Sequence, residues 1–171
     1  MRWIRAVLRR IDMSPSSKII ITIASTVRRL YNFEGGLAQM ADAKKDVIKA
    51  AKSGDLERVK ALVEADASLI HIRDSDGSTA LHFAVWKGNK AVAEFLVTVG
   101  ADVNAHNRNE HWGTTPLHAA AHANQAIIAQ MLIDKGADVD PKDLNGKTPL
   151  YHTTFHKAKA AAKVLQNNGA E

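Results

Sequence analysis

Three segments of the chain repeat one another: Gly77-Ser-Thr-Ala-Leu-His82, Gly113-Thr-Thr-Pro-Leu-His118 and Gly146-Lys-Thr-Pro-Leu-Tyr151. Each is followed, 23 residues beyond its first glycine, by a second glycine, in Gly100-Ala-Asp-Val-Asn104, Gly136-Ala-Asp-Val-Asp140 and Gly169-Ala-Glu171. Leu81 to Leu117 is 36 residues and Leu117 to Leu150 is 33, so the period is 33 with three extra residues in one loop. A period of this size restricts a chain to a stack of like units, each too small to bury its apolar face alone.

The residue types at each place say what the unit is. Asp74-Ser-Asp-Gly77 and Asp143-Leu-Asn-Gly146 have Asp first and Gly fourth, the preference of a type I turn. Thr79, Thr115 and Thr148 then stand where a hydroxyl caps a helix, and Pro116 and Pro149 take the first helical position, where a missing N–H is harmless. Gly88 can adopt the left-handed conformation that stops this short helix. A second helix follows, with Val92, Phe95, Leu96 and Val99 on one apolar face, and Gly100 stops it in turn. The fold expected is an all-α solenoid of turn-helix-turn-helix units joined by short β-hairpin-like turns.

With Thr-Pro-Leu-His and Gly-Ala-Asp-Val-Asn in register, the unit resembles the ankyrin repeat over about Lys44 to Glu171. Upstream, residues 42–73 read as a helix pair lacking the Thr-Pro-Leu-His start, which suits a terminal cap that must show water on one side. Four helix pairs are therefore expected, in units of about 42–73, 74–106, 107–141 and 142–171. They make up a repeat domain over 41–171, preceded by an irregular leader over 1–40. The last helix, rich in Ala and Lys, reads as a C-terminal cap. Three departures stand out: Ala80 replaces the first proline, Tyr151 replaces the last histidine, and Asn124 and Lys157 occupy the glycine place after the first helix. Asn tolerates the left-handed region, whereas Lys there costs about 1–2 kcal/mol relative to Gly, so the fourth unit is expected to fray first.

Composition narrows the function. The 171 residues are 46% hydrophobic and 24% charged, as in a soluble globular domain, and include no cysteine. Disulfides, thiol nucleophiles and Cys-based metal centres are thereby excluded. The net charge of +5 belongs to residues 1–39, with seven basic and two acidic groups, while the remainder balances at 16 and 16. The repeat domain thus lacks the electrostatic footprint of a nucleic-acid binder. Asn145-Gly-Lys-Thr148 imitates the tail of a phosphate-binding loop, but Pro141 stands where the first glycine belongs. The same segment and Asp74-Ser-Asp-Gly77 fail as calcium loops at their first position, Pro141 or Ile72. His118 with His122 and His152 with His156 have a spacing legal for zinc, but no glutamate lies inside either pair and His118 is the repeat's own histidine. No catalytic motif, metal or cofactor is expected, and the chain reads as a non-enzyme.

What remains is a surface. In the ankyrin family the turn tips and the ends of the first helices line a concave face that meets partner proteins, and the resemblance implies the same here. Carried over in register, those places are Ser75, Asp76, Ser78, Trp86 and Lys87 in the second unit and His111, Trp112, Thr114, His122 and Ala123 in the third. The fourth contributes Leu144, Asn145, Lys147, Phe155 and His156, with His106 and Lys142 just before two of the turns. Trp86, His122 and Phe155 share one place in successive units and should form an aromatic ridge, a feature suited to a protein interface. Folding of Trp86 and Phe155 onto neighbouring repeats is the alternative. The three-residue extension should project His111 and Trp112 beyond their neighbours.

In the leader, Trp3, Ile4, Val7, Leu8 and Ile11 oppose Arg2, Arg5, Arg9 and Arg10 in a basic amphipathic pattern, broken by Ser14-Pro-Ser-Ser17. This pattern is similar to an organelle-targeting presequence. A weak secretory signal over Ile19 to Val27 and untranslated or disordered sequence before Met40 are the competing readings. That apolar run is about half the length a membrane-spanning helix needs. The expectation is a monomeric, cytoplasmic module that binds a partner protein, with membrane contact only through residues 1–39. The alternative is a membrane-associated or organelle-targeted adaptor localised by its leader.

Overall fold

The computed structural model describes residues 42–108, 113–155 and 157–171, all within one compact unit, Asp42–Glu171. The leader and its targeting readings lie outside the described residues, as do His111, Trp112 and His156. The helices are α1 (42–53), α2 (Leu56–Ala65), a 3-10 helix (Ala67–His71), α3 (Ala80–Trp86), α4 (Lys90–Thr98), α5 (Pro116–His122), α6 (Ala126–Asp134), α7 (Pro149–His152) and α8 (Lys159–Asn167). Among the described residues there is no strand. An antiparallel bridge between Arg73 and Thr79 is all that the second unit has of a β-hairpin.

Each first helix starts as its threonine dictates. Thr79, in extended backbone, caps α3 and shares a reciprocal capping box with His82. Thr115 and His118 repeat that box at α5, and the Thr148 hydroxyl accepts the Tyr151 N–H at 3.3 Å. Each first helix also ends in one way. Gly54, Gly88, Asn124 and Lys157 occupy equivalent places with φ of 79°, 74°, 55° and 51°. The next residue's N–H returns to a carbonyl five residues back: Asp55 to Ala50, Asn89 to Ala84, Gln125 to Ala120 and Ala158 to Thr153, at 2.8–3.0 Å. Lys157 therefore bears a left-handed conformation that its neighbours give to Gly or Asn.

The fourth unit departs in length. Its first helix, α7, has four residues where α3 and α5 have seven. Thr153 and Thr154 turn their hydroxyls back onto the Leu150 and Tyr151 carbonyls at 2.7 Å, so local side-chain bonding replaces the last helical turn.

Stacking the second helices makes the core. Val59, Val92, Ile128 and Ala161 form one buried column, and Val63, Leu96, Leu132 and Leu165 form the next, four residues on along each helix. Both columns follow the 33-residue period because a position that faces a neighbouring unit in one repeat faces it in all. No unit holds this core alone, since the buried residues form one contiguous cluster in which α6 packs against α5 of its own unit, α4 of the unit before and α8 of the unit after.

Candidate functional site

The turns are pinned first by aspartate. Asp74 Oδ1 accepts the N–H groups of Asp76 and Ser78 at 3.0 and 2.8 Å, and Asp143 Oδ1 accepts those of Asn145 and Lys147 at 2.8 Å. Successive turns are then tied to each other. Arg73 Nη1 donates to the Gly77 and His106 carbonyls at 2.8 and 2.6 Å, the Arg108 N–H reaches the Asp76 carbonyl at 2.6 Å, and Asn107 Nδ2 bonds the hydroxyls of Ser78 and Thr114 at 3.2 and 3.1 Å.

The repeat's histidines fasten these turns to the helices. His82 Nδ1 accepts the Thr79 N–H at 3.2 Å, so its proton lies on Nε2, which donates to the Thr114 carbonyl of the next unit at 3.0 Å. His118 does the same between the Thr115 N–H and the Lys147 carbonyl, at 3.2 and 3.1 Å. Burial pushes both imidazoles down to about 4, against the help of those carbonyls, so both are neutral at pH 7. With both nitrogens engaged, His118 has no lone pair to offer a metal, and among the described residues no three His, Cys, Asp or Glu side chains are grouped to hold one.

The fourth unit replaces this link. Tyr151 takes the histidine place and is exposed, while the next residue, His152, is buried and meets Asp143 Oδ2 through Nε2 at 2.9 Å. Burial works against the Asp143 charge, but the Lys147 N–H, the His152 ring and the Asn145 N–H outweigh it and hold the carboxyl below the usual range.

Above these links lies a cleft of about 290 Å³, lined by turn residues Asp76, Ser78, Asn107 and Thr114 and by helix residues from α3, α5 and α7. The helix residues fall in columns of equal register. Phe83, Ala119 and His152 form one and Trp86 with His122 another, and His82 and His118 close the floor. Trp86 and His122 meet at 5.9 Å between centroids, His122 and His152 at 6.3 Å, and His152 and Phe155 at 6.0 Å. The aromatic ridge is thus continuous through His152, which sequence reasoning weighed only as a zinc candidate. Its column with Phe83 and Ala119 is readable from the period, one place after His82, His118 and Tyr151 and three before Trp86, His122 and Phe155.

The remaining sequence candidates divide by exposure. Trp86 and Phe155 are 56% and 51% exposed, Leu144 is 68% exposed, and Ser75, Asp76, Lys87, His106, Lys142 and Asn145 are also on the surface. Thr114, His122, Ala123 and Lys147 are half-buried, and Lys147 sets its ammonium 4.3 Å from the Tyr151 ring centroid. Ser78 is buried, its hydroxyl held by Asn107, and serves the floor of the cleft more than its rim. Among the described residues no helix is long and apolar enough to cross a membrane.

Residues 47–97 match a model of ankyrin repeats in many copies, and residues 104–171 match a model of three ankyrin copies. The chain belongs to the ankyrin-repeat family, whose arrays are protein-protein interaction modules. It is similar to the human 26S proteasome non-ATPase regulatory subunit 10, 43% identical over 34% of this chain and 26% of that protein. It is also similar to the mouse protein phosphatase 1 regulatory subunit 27, 46% identical over 34% of this chain and 38% of that protein. A third relative is the serine/threonine-protein kinase VIK of Arabidopsis thaliana, 43% identical over 34% of this chain and 13% of the kinase. The matched stretch therefore spans well under half of each of these relatives.

Proposed function

We propose that the chain is a non-catalytic binding module that holds a partner protein on the concave face of its repeat array, over the cleft lined by Asp76, Trp86 and His152 and beside Phe155. The observation that carries this reading is Trp86, 56% exposed at the cleft rim and set edge-on against His122. A large ring left that open costs apolar hydration and gains most from being covered. The turns beneath it are fixed by Asp74, Asn107, His82 and Asp143 before any partner arrives, so little conformational entropy is lost on binding.

Two of the three relatives are regulatory subunits by name, which supports a module that acts by contact. Ser75, Lys87, His106, Leu144, Asn145 and Lys147 form the rim in this reading, with His111, Trp112 and His156 added from the sequence. The test is affinity capture from the native lysate with the full chain as bait, beside a Trp86→Ala bait. A protein recovered only by the unchanged bait, with the melting temperature unmoved by the substitution, supports the reading. Equal recovery by both baits refutes it.

A further inference from the structure

The described lining of the cleft includes one carboxylate, Asp76, and no lysine or arginine; the rest is aromatic, imidazole, hydroxyl, amide or methyl. The Asp76 backbone is held on both sides, its N–H by Asp74 Oδ1 at 3.0 Å and its carbonyl by the Arg108 N–H at 2.6 Å. Among the described residues its carboxyl accepts a hydrogen bond from the Ser75 hydroxyl alone, at a long 3.4 Å. Two floor imidazoles are neutral and spend their protons on backbone carbonyls, so they do not balance that charge. The walls, meanwhile, include the rings of Phe83 and Trp86, and aromatic faces attract cations. The chain already uses this attraction beside the cleft, where Lys52 sets its Nζ 3.8 Å from the Phe83 centroid.

We propose that the cleft receives an arginine side chain of the partner protein, its guanidinium on Asp76 and its methylene stem and planar head against Trp86. This inference rests on the reading of the cleft as the partner site. An acidic side chain would meet Asp76 with like charge, and an apolar one would cover that carboxylate without pairing it. Lysine shares the charge but lacks the planar fork that stacks on an indole and bonds both carboxylate oxygens together.

The experiment uses the isotope-labelled full chain and three capped amino acids, N-acetyl-arginine methylamide, its neutral isostere N-acetyl-citrulline methylamide, and N-acetyl-glutamate methylamide. The readout is the Trp86 indole N–H signal, assigned by its loss in Trp86→Phe. The arginine compound should shift this signal saturably, the citrulline and glutamate compounds should bind about tenfold more weakly or not at all, and Asp76→Asn should erase the preference for arginine. Asp76→Asn keeps the backbone bonds of the turn, so its fold is checked by an unchanged melting temperature. Equal binding of arginine and citrulline, an unaltered preference in Asp76→Asn, or no shift by arginine would overturn the proposal. Capture of the partner separates this failure from that of the module itself. If Trp86→Ala loses the partner while Asp76→Asn keeps it, the cleft is the interface and the arginine assignment is wrong.

Discussion

The rings of His118 and His152 meet edge to face, with centroids 5.1 Å apart, and the two imidazoles hold their protons by different means. His118 links the Thr115 N–H to the Lys147 carbonyl of the following unit, whereas His152 leans on the Asp143 carboxylate of its own turn. One unit thus passes its link onward and the next closes it locally. The consequences are measurable.

Acid should loosen the stack. His82 and His118 titrate near 4 in the fold against about 6.5 in the unfolded chain, so below 6.5 the unfolded state binds more protons. Their stabilising contribution is complete above pH 6.5 and is lost as pH falls towards 4, on the order of 2–3 kcal/mol for each buried ring. Urea unfolding followed by circular dichroism at pH 7 and pH 4.5 should show the fall, and His118→Gln should flatten it. A midpoint independent of pH would contradict the assignment of both rings as buried and neutral.

The register position of the histidine should matter unequally. His118→Ala strands the Thr115 N–H and the Lys147 carbonyl and should cost about 2–3 kcal/mol. Tyr151→Ala, at the same place one unit on but exposed, should cost less than about 1 kcal/mol. Equal losses in chemical denaturation would show that the link is not what His118 contributes.

Core and surface should separate on neighbouring turns of α6. Leu132 is fully buried, and Leu132→Ala should lower stability by about 2–5 kcal/mol through lost contacts and a cavity. Ile127, 69% exposed, should tolerate alanine within about 0.5 kcal/mol. Calorimetric melting of the two variants checks both magnitudes.

The left-handed positions offer the opposite sign. Lys157→Gly should stabilise the chain by about 1 kcal/mol, because glycine adopts φ of 51° without Cβ strain. Asn124→Gly should gain nothing, since the Asn124 Oδ1 bond to the Ala161 N–H at 3.1 Å is lost with the side chain. Gly88→Ala should destabilise, as its Cβ would lie 2.6 Å from Gln125 Nε2 on a backbone at φ of 74°. Thermal melts of all three order these effects.

Most of the architecture is legible in the residues. Threonine before proline, glycine or asparagine after seven helical residues, and leucine every 33 positions act through hydrogen bonds and sterics within a few residues, so order along the chain suffices to read them. The shortening of α7 is not legible that way, because the Thr153 and Thr154 hydroxyls bond backward in competition with a helix their neighbours favour. Nor is the role of His152, whose meaning depends on Asp143 lying within 2.9 Å across the turn.

The candidate site shows the same division. Period and residue type alone placed Trp86, His122 and Phe155 in one column and Asp76 on a turn tip, since equivalent places in stacked units share a direction. Which side chains line the cleft depends on packing between units. Ser78 turned inward to Asn107, His82 and His118 spent both nitrogens on neighbouring backbone, and Trp86 stayed half uncovered over the space they enclose. Local chemistry sets the turns and helices because its partners are near in sequence. Burial and exposure in the cleft depend on groups about 30 residues away, whose approach exists only once the units are stacked.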